Sequence, residues 1–163
     1  MPVDRDAFRQ AMGLFPGAVT LITTGRGEGR RGITATAVCS VTDTPPTLLA
    51  CVNRKTGTCA EILKSGHFSV QLLGADQTEI ALTFAGAKGQ AGAEKFDSAL
   101  WSECSLGLPR VDGALASLSC VVENTMQSGS HQVFFGRIEG IHAGAGEALI
   151  YAQSRFRRLE AVA

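Results

Sequence analysis

Most periodic stretches of this chain alternate with a period of two, and that pattern predicts a mainly β fold. Gly17 to Thr24 sets Val19, Leu21 and Thr23 on one side and Thr20, Ile22 and Thr24 on the other. Gly32 to Thr42 reads as one strand with two unlike faces, Thr34, Thr36, Ser40 and Thr42 against Ile33, Ala35, Ala37, Cys39 and Val41. Thr44-Pro45-Pro46 then forces an extended corner, because proline fixes its own φ and keeps the preceding residue out of the helical region. Thr47 to Asn53 is mostly apolar, as a buried strand should be, and Gly66 to Leu73 is a fourth strand. Leu115 to Met126 and Gln132 to His142 are two long strands joined through Gln127-Ser128-Gly129-Ser130, and Leu149 to Tyr151 starts a last short one.

Three short helices interrupt the strands. Asp4 caps one in which Phe8, Ala11 and Met12 share a face, and Gly13 to Gly17, with Pro16, ends it. Thr58-Cys59-Ala60-Glu61 is a capping-box pattern opening a helix to Ser65. Asp76-Gln77-Thr78-Glu79 opens another, bearing Ile80, Ala81 and Phe84.

Composition narrows the function classes. At 163 residues the chain suits one sizeable core, and a single domain over 1–163 is expected. Fifteen Lys plus Arg balance fifteen Asp plus Glu, and no long basic run offers a footprint for nucleic acid or a membrane surface. The start, MPVDRDAFRQ, is acidic where a secretory signal is basic, and nowhere do about eighteen apolar residues run together. A cytoplasmic protein is expected. Cys39, Cys51, Cys59, Cys104 and Cys120 form no C-x-x-C pair, so reduced thiols and no metal are the expectation.

Candidate chemistry sits in a few stretches. The small hydroxyl-bearing face of Gly32 to Thr42 suits a flat polar ring lying close to the backbone, and equally suits an ordinary half-exposed strand. After Asn53, Arg54, Lys55, Thr56 and Thr58 converge on a helix start, an arrangement that fits a phosphate or a solvated loop whose Thr58 merely caps. Gly27, Gly29 and Gly32 spell G-x-G-x-x-G, but a strand rather than a helix follows, so they read as a hairpin loop in which Arg30 and Arg31 keep the turn solvated. Cys59, in a first helical turn, is open to a lowered thiol pKa and hence to thiol catalysis, with a semi-buried structural cysteine as the alternative. His131 lies at the edge of the long hairpin, and the Arg155-Phe156-Arg157-Arg158 run reads as a solvated tail.

Several separated stretches, in order, resemble the flavin reductase-like family. They are FRQAMGLFPGAVTLITT, GITATAVCSVTDTPPTLLACVNR, Lys95-Phe96 followed by Trp101, GALASLSC, SGSHQVFFGRIEGI and LIYAQSRFRRL. The resemblance is closest to the reductase components of two-component flavin monooxygenases. It implies an antiparallel split β-barrel of Greek-key type with short peripheral helices; the amphipathic first helix reads as a lid over that barrel, and the Gly- and Ala-rich stretch Ala87 to Ala93 as a closing flap.

It implies FMN or FAD bound by Thr34, Ala35, Thr36, Ala37 and Ser40, by Cys51, Val52, Asn53 and Arg54, and by Thr56 and Thr58 at the phosphate. Phe84, Ala85, Gly86, Lys95 and Phe96 match further flavin-side positions, with Arg155 and Phe156 close to the pocket. His131, in Gly129-Ser130-His131, matches the histidine that meets the nicotinamide of NADH or NADPH, and the middle residue departs from the family's Asp or Thr. The implied activity is hydride transfer from the nicotinamide to flavin by a homodimer that hands reduced flavin to a separate oxygenase. The alternatives are a flavin-dependent corrin reductase of cobalamin synthesis and a non-enzymatic split-barrel module that binds flavin or haem.

Overall fold

The computed structural model describes residues 2–163. Asp4 opens helix α1 (Arg5–Gly13), its Oδ2 accepting the N–H groups of Asp6 and Ala7, both at 3.0 Å. No residue of α1 is buried, so the expected lid does not close on this chain's own barrel.

Two strands, β1 (Gly17–Ala18) and β2 (Thr20–Thr24), replace the one expected. Every residue of β2 is buried, because the strand has a core on each side: Ile22 faces the barrel interior, while Leu21, with Val19, faces an outer cluster. Its hydroxyls are satisfied inside the protein, Thr20 Oγ1 donating to Ala35 O at 2.6 Å, Thr23 Oγ1 to Pro109 O at 2.6 Å and Thr24 Oγ1 to His67 O at 2.7 Å. The glycine-rich turn is a short 3-10 segment (Gly27–Gly29) leading straight into a strand, as expected for a hairpin loop.

The expected strand from Gly32 to Thr42 is in fact two, β3 (Arg31–Ala35) and β4 (Val38–Asp43). The break falls at Thr36-Ala37, where Val38 N–H turns back to Thr36 O at 2.9 Å and Cys51 N–H bonds Ala37 O at 3.0 Å. The chain there leaves β2 and joins β5 (Pro46–Asn53) across the Pro45-Pro46 corner. Helix α2 (Gly57–Ser65), strand β6 (His67–Leu72), helix α3 (Thr78–Phe84) and a 3-10 segment (Gly92–Ser98) follow. A small hairpin, β7 (Trp101–Glu103) and β8 (Pro109–Val111), precedes the long hairpin β9 (Ala116–Ser128) and β10 (His131–Ala143), whose two-residue turn holds Gly129 at φ 53°.

Seven antiparallel strands are ordered β3-β2-β6-β9-β10-β5-β4. The two outer strands are consecutive in sequence and only two residues apart, so the sheet must curl until its edges meet at Thr36-Ala37. The barrel is joined there by the chain itself and is open along the rest of the seam, which is the split form. Helix α2 plugs it: Cys59 and Ile62 enter the interior beside Leu48, Val52, Phe68 and Phe134. A second cluster outside the barrel, Leu73, Phe84, Phe96 and Leu149, seats α3 and the 3-10 segment against β2 and β3. Gly32 makes that seat possible, since a Cβ there would lie 2.7 Å from Phe84 Cε1.

Residues read as a solvated tail form a hairpin instead, β11 (Ile150–Ala152) with β12 (Arg155–Arg157), completing a small sheet of order β1-β11-β12. Gln153 and Ser154 turn it with φ of 53° and 59°, and Gln153 N–H bonds Gly13 O at 2.8 Å, tying the hairpin to the end of α1.

Candidate functional site

Strand β3 lies at the edge of the barrel sheet, and two cavities flank successive parts of it. The first, about 370 Å³, lies against Thr34, Ala35 and Thr36, with Ala81, Leu82 and Ala85 of α3 opposite and Tyr151, Ser154 and Phe156 at its end. Its walls are mainly apolar, and the Tyr151 and Phe156 rings meet edge-on at 5.6 Å. A flat ring system with polar edge atoms suits that shape. The Thr34 hydroxyl is not free for it, because Thr34 Oγ1 donates to Ala81 O at 2.6 Å and so ties β3 to α3.

The second cavity, about 270 Å³, flanks Arg31, Gly32 and Ile33 and reaches the first turn of α2 at Thr56, Gly57 and Thr58. Thr56, not Thr58, caps that helix. Its Oγ1 donates to Asn53 O at 2.7 Å and accepts from Cys59 N–H at 3.1 Å, while Thr58 is buried one residue inside the helix. The cap leaves the N–H groups of Gly57 and Thr58 without intrahelical partners beside the cavity. Lys95 enters from the other side and reaches Gly32 O at 3.4 Å and Phe84 O at 3.3 Å. Burial pulls its pKa below the usual lysine value, since the ammonium gives up water on entering the cavity wall.

His131 stands near this end of the barrel. It pairs across the sheet with Asn53, the residue whose carbonyl holds the Thr56 cap, and Arg54 N–H bonds Ser130 O at 3.0 Å. Ser130, the residue that departs from the family pattern, sits 2.9 Å from His131 Nδ1 through its Oγ. That contact fixes the imidazole by one nitrogen and leaves Nε2 for a ligand. Arg54 is exposed, and its charge acts on Cys59.

The residues expected at a flavin site therefore divide. Thr34, Ala35, Thr36, Ala85 and Phe156 meet at the first cavity, Thr56, Thr58 and Lys95 at the second, and Asn53, Arg54 and His131 at the adjoining sheet end. Phe84, Phe96 and Val52 do not offer their side chains: all are buried, Phe84 and Phe96 edge to face with ring centroids 5.0 Å apart in the outer cluster and Val52 inside the barrel. Apolar runs near a motif served the core here. Ala37, Ser40, Gly86 and Arg155 are exposed and border neither cavity, and Cys51 is half-buried with its thiol pKa pushed up by burial and then by Cys39.

Cys59 is fully buried in the barrel plug, and burial, opposed by Arg54, raises its thiol pKa. A lowered pKa was the premise of thiol catalysis, and it does not hold. Arg31 is a charged cavity residue that the sequence presented only as part of a solvated turn. The signal was its place one residue before Gly32 in the period-two strand, on the same face as Ile33 and Ala35. Among the described residues no group of His, Cys, Asp and Glu is arranged to hold a metal, and no helix is long and apolar enough to cross a membrane.

Comparison with known proteins bears on this geometry. Residues 12–160 match the model of the flavin reductase like domain. The chain is 39% identical to FMN reductase (NADH) RutF of Methylorubrum populi over 160 residues, 98% of this chain and 78% of that one. It is also 39% identical to the 4-hydroxyphenylacetate 3-monooxygenase reductase component of Salmonella typhi, covering 98% of this chain and 97% of that protein. The solved structure of the NADH:FAD oxidoreductase SgcE6 of Streptomyces globisporus, in complex with NAD and FAD fragments, superposes with a TM-score of 0.88 at 31% identity, covering 96% of this chain and 93% of that chain. A family match over nearly the whole length, on a split barrel with an apolar cleft and a cationic cavity along one edge strand, shows that this chain belongs to the flavin reductase-like family.

Proposed function

We propose that this chain is an NAD(P)H-dependent flavin reductase, acting as a single domain in a homodimer, that reduces FMN or FAD with NADH or NADPH and supplies the reduced flavin to a separate flavin-dependent oxygenase in the cytoplasm. The observation that carries this reading is the near end-to-end similarity to named reductase components, coupled to a groove that fits a flavin's parts. The flavin, when bound, supplies the ring that accepts a hydride from the nicotinamide.

The chain's own residues do the rest. The Thr34–Thr36 backbone and the Tyr151–Phe156 wall orient the ring and exclude water from one side. Thr56 holds the helix start that would face the phosphoryl end, and Arg54 adds positive charge for that anionic group at the neighbouring corner. His131, held by Ser130, offers Nε2 to the nicotinamide carboxamide. Dimerisation is supported by α1, on which Phe8 is 58% and Met12 48% exposed, beside Leu14 at 64% and Phe15 at 68%.

The test is NADH oxidation by the purified protein in air, with and without added FMN, repeated on His131→Ala and Arg54→Ala. Turnover that requires free flavin and falls in both variants is the expected result. A protein that binds flavin yet consumes no NADH at any flavin concentration is a binding module, and the reductase reading is then wrong.

A further inference from the structure

We propose that the cavity between the β7–β8 hairpin and the outer face of the barrel sheet is a binding site for a small monocarboxylate, with Arg110 as its anchor. The cavity, about 340 Å³, borders Gly140 to His142 of β10. His131 lies at the other end of that strand, roughly 30 Å away, so the site is separate from the flavin cleft.

Cross-strand register builds the floor. Thr23, Ser69, Ser119 and Gly140 form one rung across β2, β6, β9 and β10, and Gln71, Ser117 and His142 lie on the next rung of the same face. The hairpin lies over this face, Thr23 Oγ1 donating to Pro109 O at 2.6 Å. The inner half of the floor satisfies itself: Gln71 Nε2 donates to Thr23 Oγ1 at 3.0 Å and to Ser69 Oγ at 2.8 Å, and the Ser69 and Ser117 hydroxyls lie 3.3 Å apart. On the cavity side the buried Ser119 hydroxyl bonds to none of the described residues.

The Arg110 guanidinium likewise bonds to none of them, although its Nε is shut off from solvent. Glu103 borders the same cavity but is exposed, and the five ion pairs among the described residues leave both Arg110 and Glu103 out. A guanidinium that has given up water along one edge and gained no bond carries a cost that an anion removes. With Nε closed off, its two terminal nitrogens face the cavity as a parallel pair of donors, the match for the two oxygens of a carboxylate. A lone cation, with Glu103 at the rim, favours a single negative charge over the double charge of phosphate. Gly140 keeps the space open, since a Cβ there would run into Ser105 Oγ of the hairpin loop.

Cys104, half-buried on the same wall, makes the site readable. Iodoacetate carries a carboxylate and iodoacetamide does not; with either, the Cys104 sulfur bonds the methylene carbon, iodide leaves and the thiol proton passes to buffer. Labelling at about pH 8 of Cys104 and of the exposed Cys39 is followed by mass spectrometry, with excess FMN occupying the flavin cleft. Relative to Cys39, Cys104 is expected to favour iodoacetate over iodoacetamide by about ten-fold or more, at a rate that saturates and that acetate suppresses. Arg110→Gln should bring the preference within about two-fold, and Arg110→Lys should keep part of it. The proposal is overturned if wild-type labelling rises linearly with iodoacetate and acetate gives no protection, if the preference survives Arg110→Gln, or if phosphate protects better than acetate. The first and last of these need no variant, so a poorly folded Arg110→Gln protein leaves the test intact.

Discussion

Replacing Gly136 with alanine sets two effects of opposite sign against each other. Gly136 lies within β10, opposite Val122 of β9 at an irregularity in their register, and alanine adds a single methyl group there. Freed of any clash, Gly→Ala stabilises by about 0.4–1 kcal/mol, because the unfolded chain has less freedom to lose. The clash is severe, however. A Cβ at Gly136 would lie 2.5 Å from Phe68 Cζ and 2.8 Å from both Phe68 Cε1 and Cys120 Cβ.

Neither neighbour can move aside easily. Phe68 and Cys120 are both 0% exposed, the Phe68 ring is 6.2 Å from that of Phe134, and a Cβ is carried by its backbone. Overpacking of this kind costs about 1–3 kcal/mol. With an approach as close as 2.5 Å the penalty lies in the upper part of that range, about 2–3 kcal/mol, so the net loss is about 1–2.6 kcal/mol and corresponds to a Tm lower by about 2–10 °C for a chain of this size.

Thermal unfolding followed by circular dichroism, at fixed protein and flavin concentration, reads the shift. Phe68→Leu removes the outer ring atoms that meet the new methyl, so the double variant should lose less stability than the two single losses added, by about 0.5 kcal/mol or more. A Gly136→Ala protein that melts at or above the wild-type temperature, or a double variant that is simply additive, would refute the packing argument.

Two further changes test single features. Thr56→Ala should lower stability by about 1 kcal/mol, with Thr56→Ser close to wild type, as measured by urea denaturation; equal loss in both would show that the hydroxyl is not the cap. For Cys120, burial and then the neighbouring Cys104 push the thiol up to about 12 from an ordinary 9.0. The folded state thus holds its proton to higher pH than the unfolded chain does, so the associated stability is intact below about pH 9 and is lost as pH rises towards about 12. Alkylation at pH 8 should label exposed Cys39 and spare Cys120; rapid labelling of Cys120 in the folded protein would contradict its burial.

What the sequence disclosed, and what it hid, follow from the range of the interactions involved. The long β9–β10 hairpin was legible because its turn and alternation are local, although the expected connection Gln127-Ser128-Gly129-Ser130 shortens to Gly129-Ser130 because β9 runs on to Ser128. The helix after Asn53 was legible too, but its cap was misplaced by two residues: Thr-x-x-Glu from Thr58 matched a pattern, while the hydrogen bond that decides the matter comes from Thr56.

The broken strand at Thr36-Ala37 was not visible, since unbroken period-two alternation runs through a point where partners change from β2 to β5. Alternation records which face a residue takes and not which strand lies beside it. Among the candidate site residues, Phe84 and Phe96 shared their motifs with true cavity neighbours, and only tertiary packing separates them. Arg31 was hidden for the converse reason. Its loop looks solvated in sequence, and its place in the cavity wall depends on α2 and the 3-10 segment arriving from 26 and 61 positions further along, at Gly57 and Gly92.

The strand order also governs how the chain emerges during synthesis. Residues up to Leu72 already contain β2, β3 and β6 as one antiparallel group and β4 and β5 as another, yet the two groups are hydrogen-bonded into one sheet only through β9 and β10, which sit between β6 and β5. Until residues 116–143 are made, the growing polypeptide carries two half-sheets with bare hydrogen-bonding margins at β6 and β5. The late hairpin is the keystone, and a nascent or prematurely terminated product that lacks it exposes two sticky borders that invite aggregation before the barrel can close.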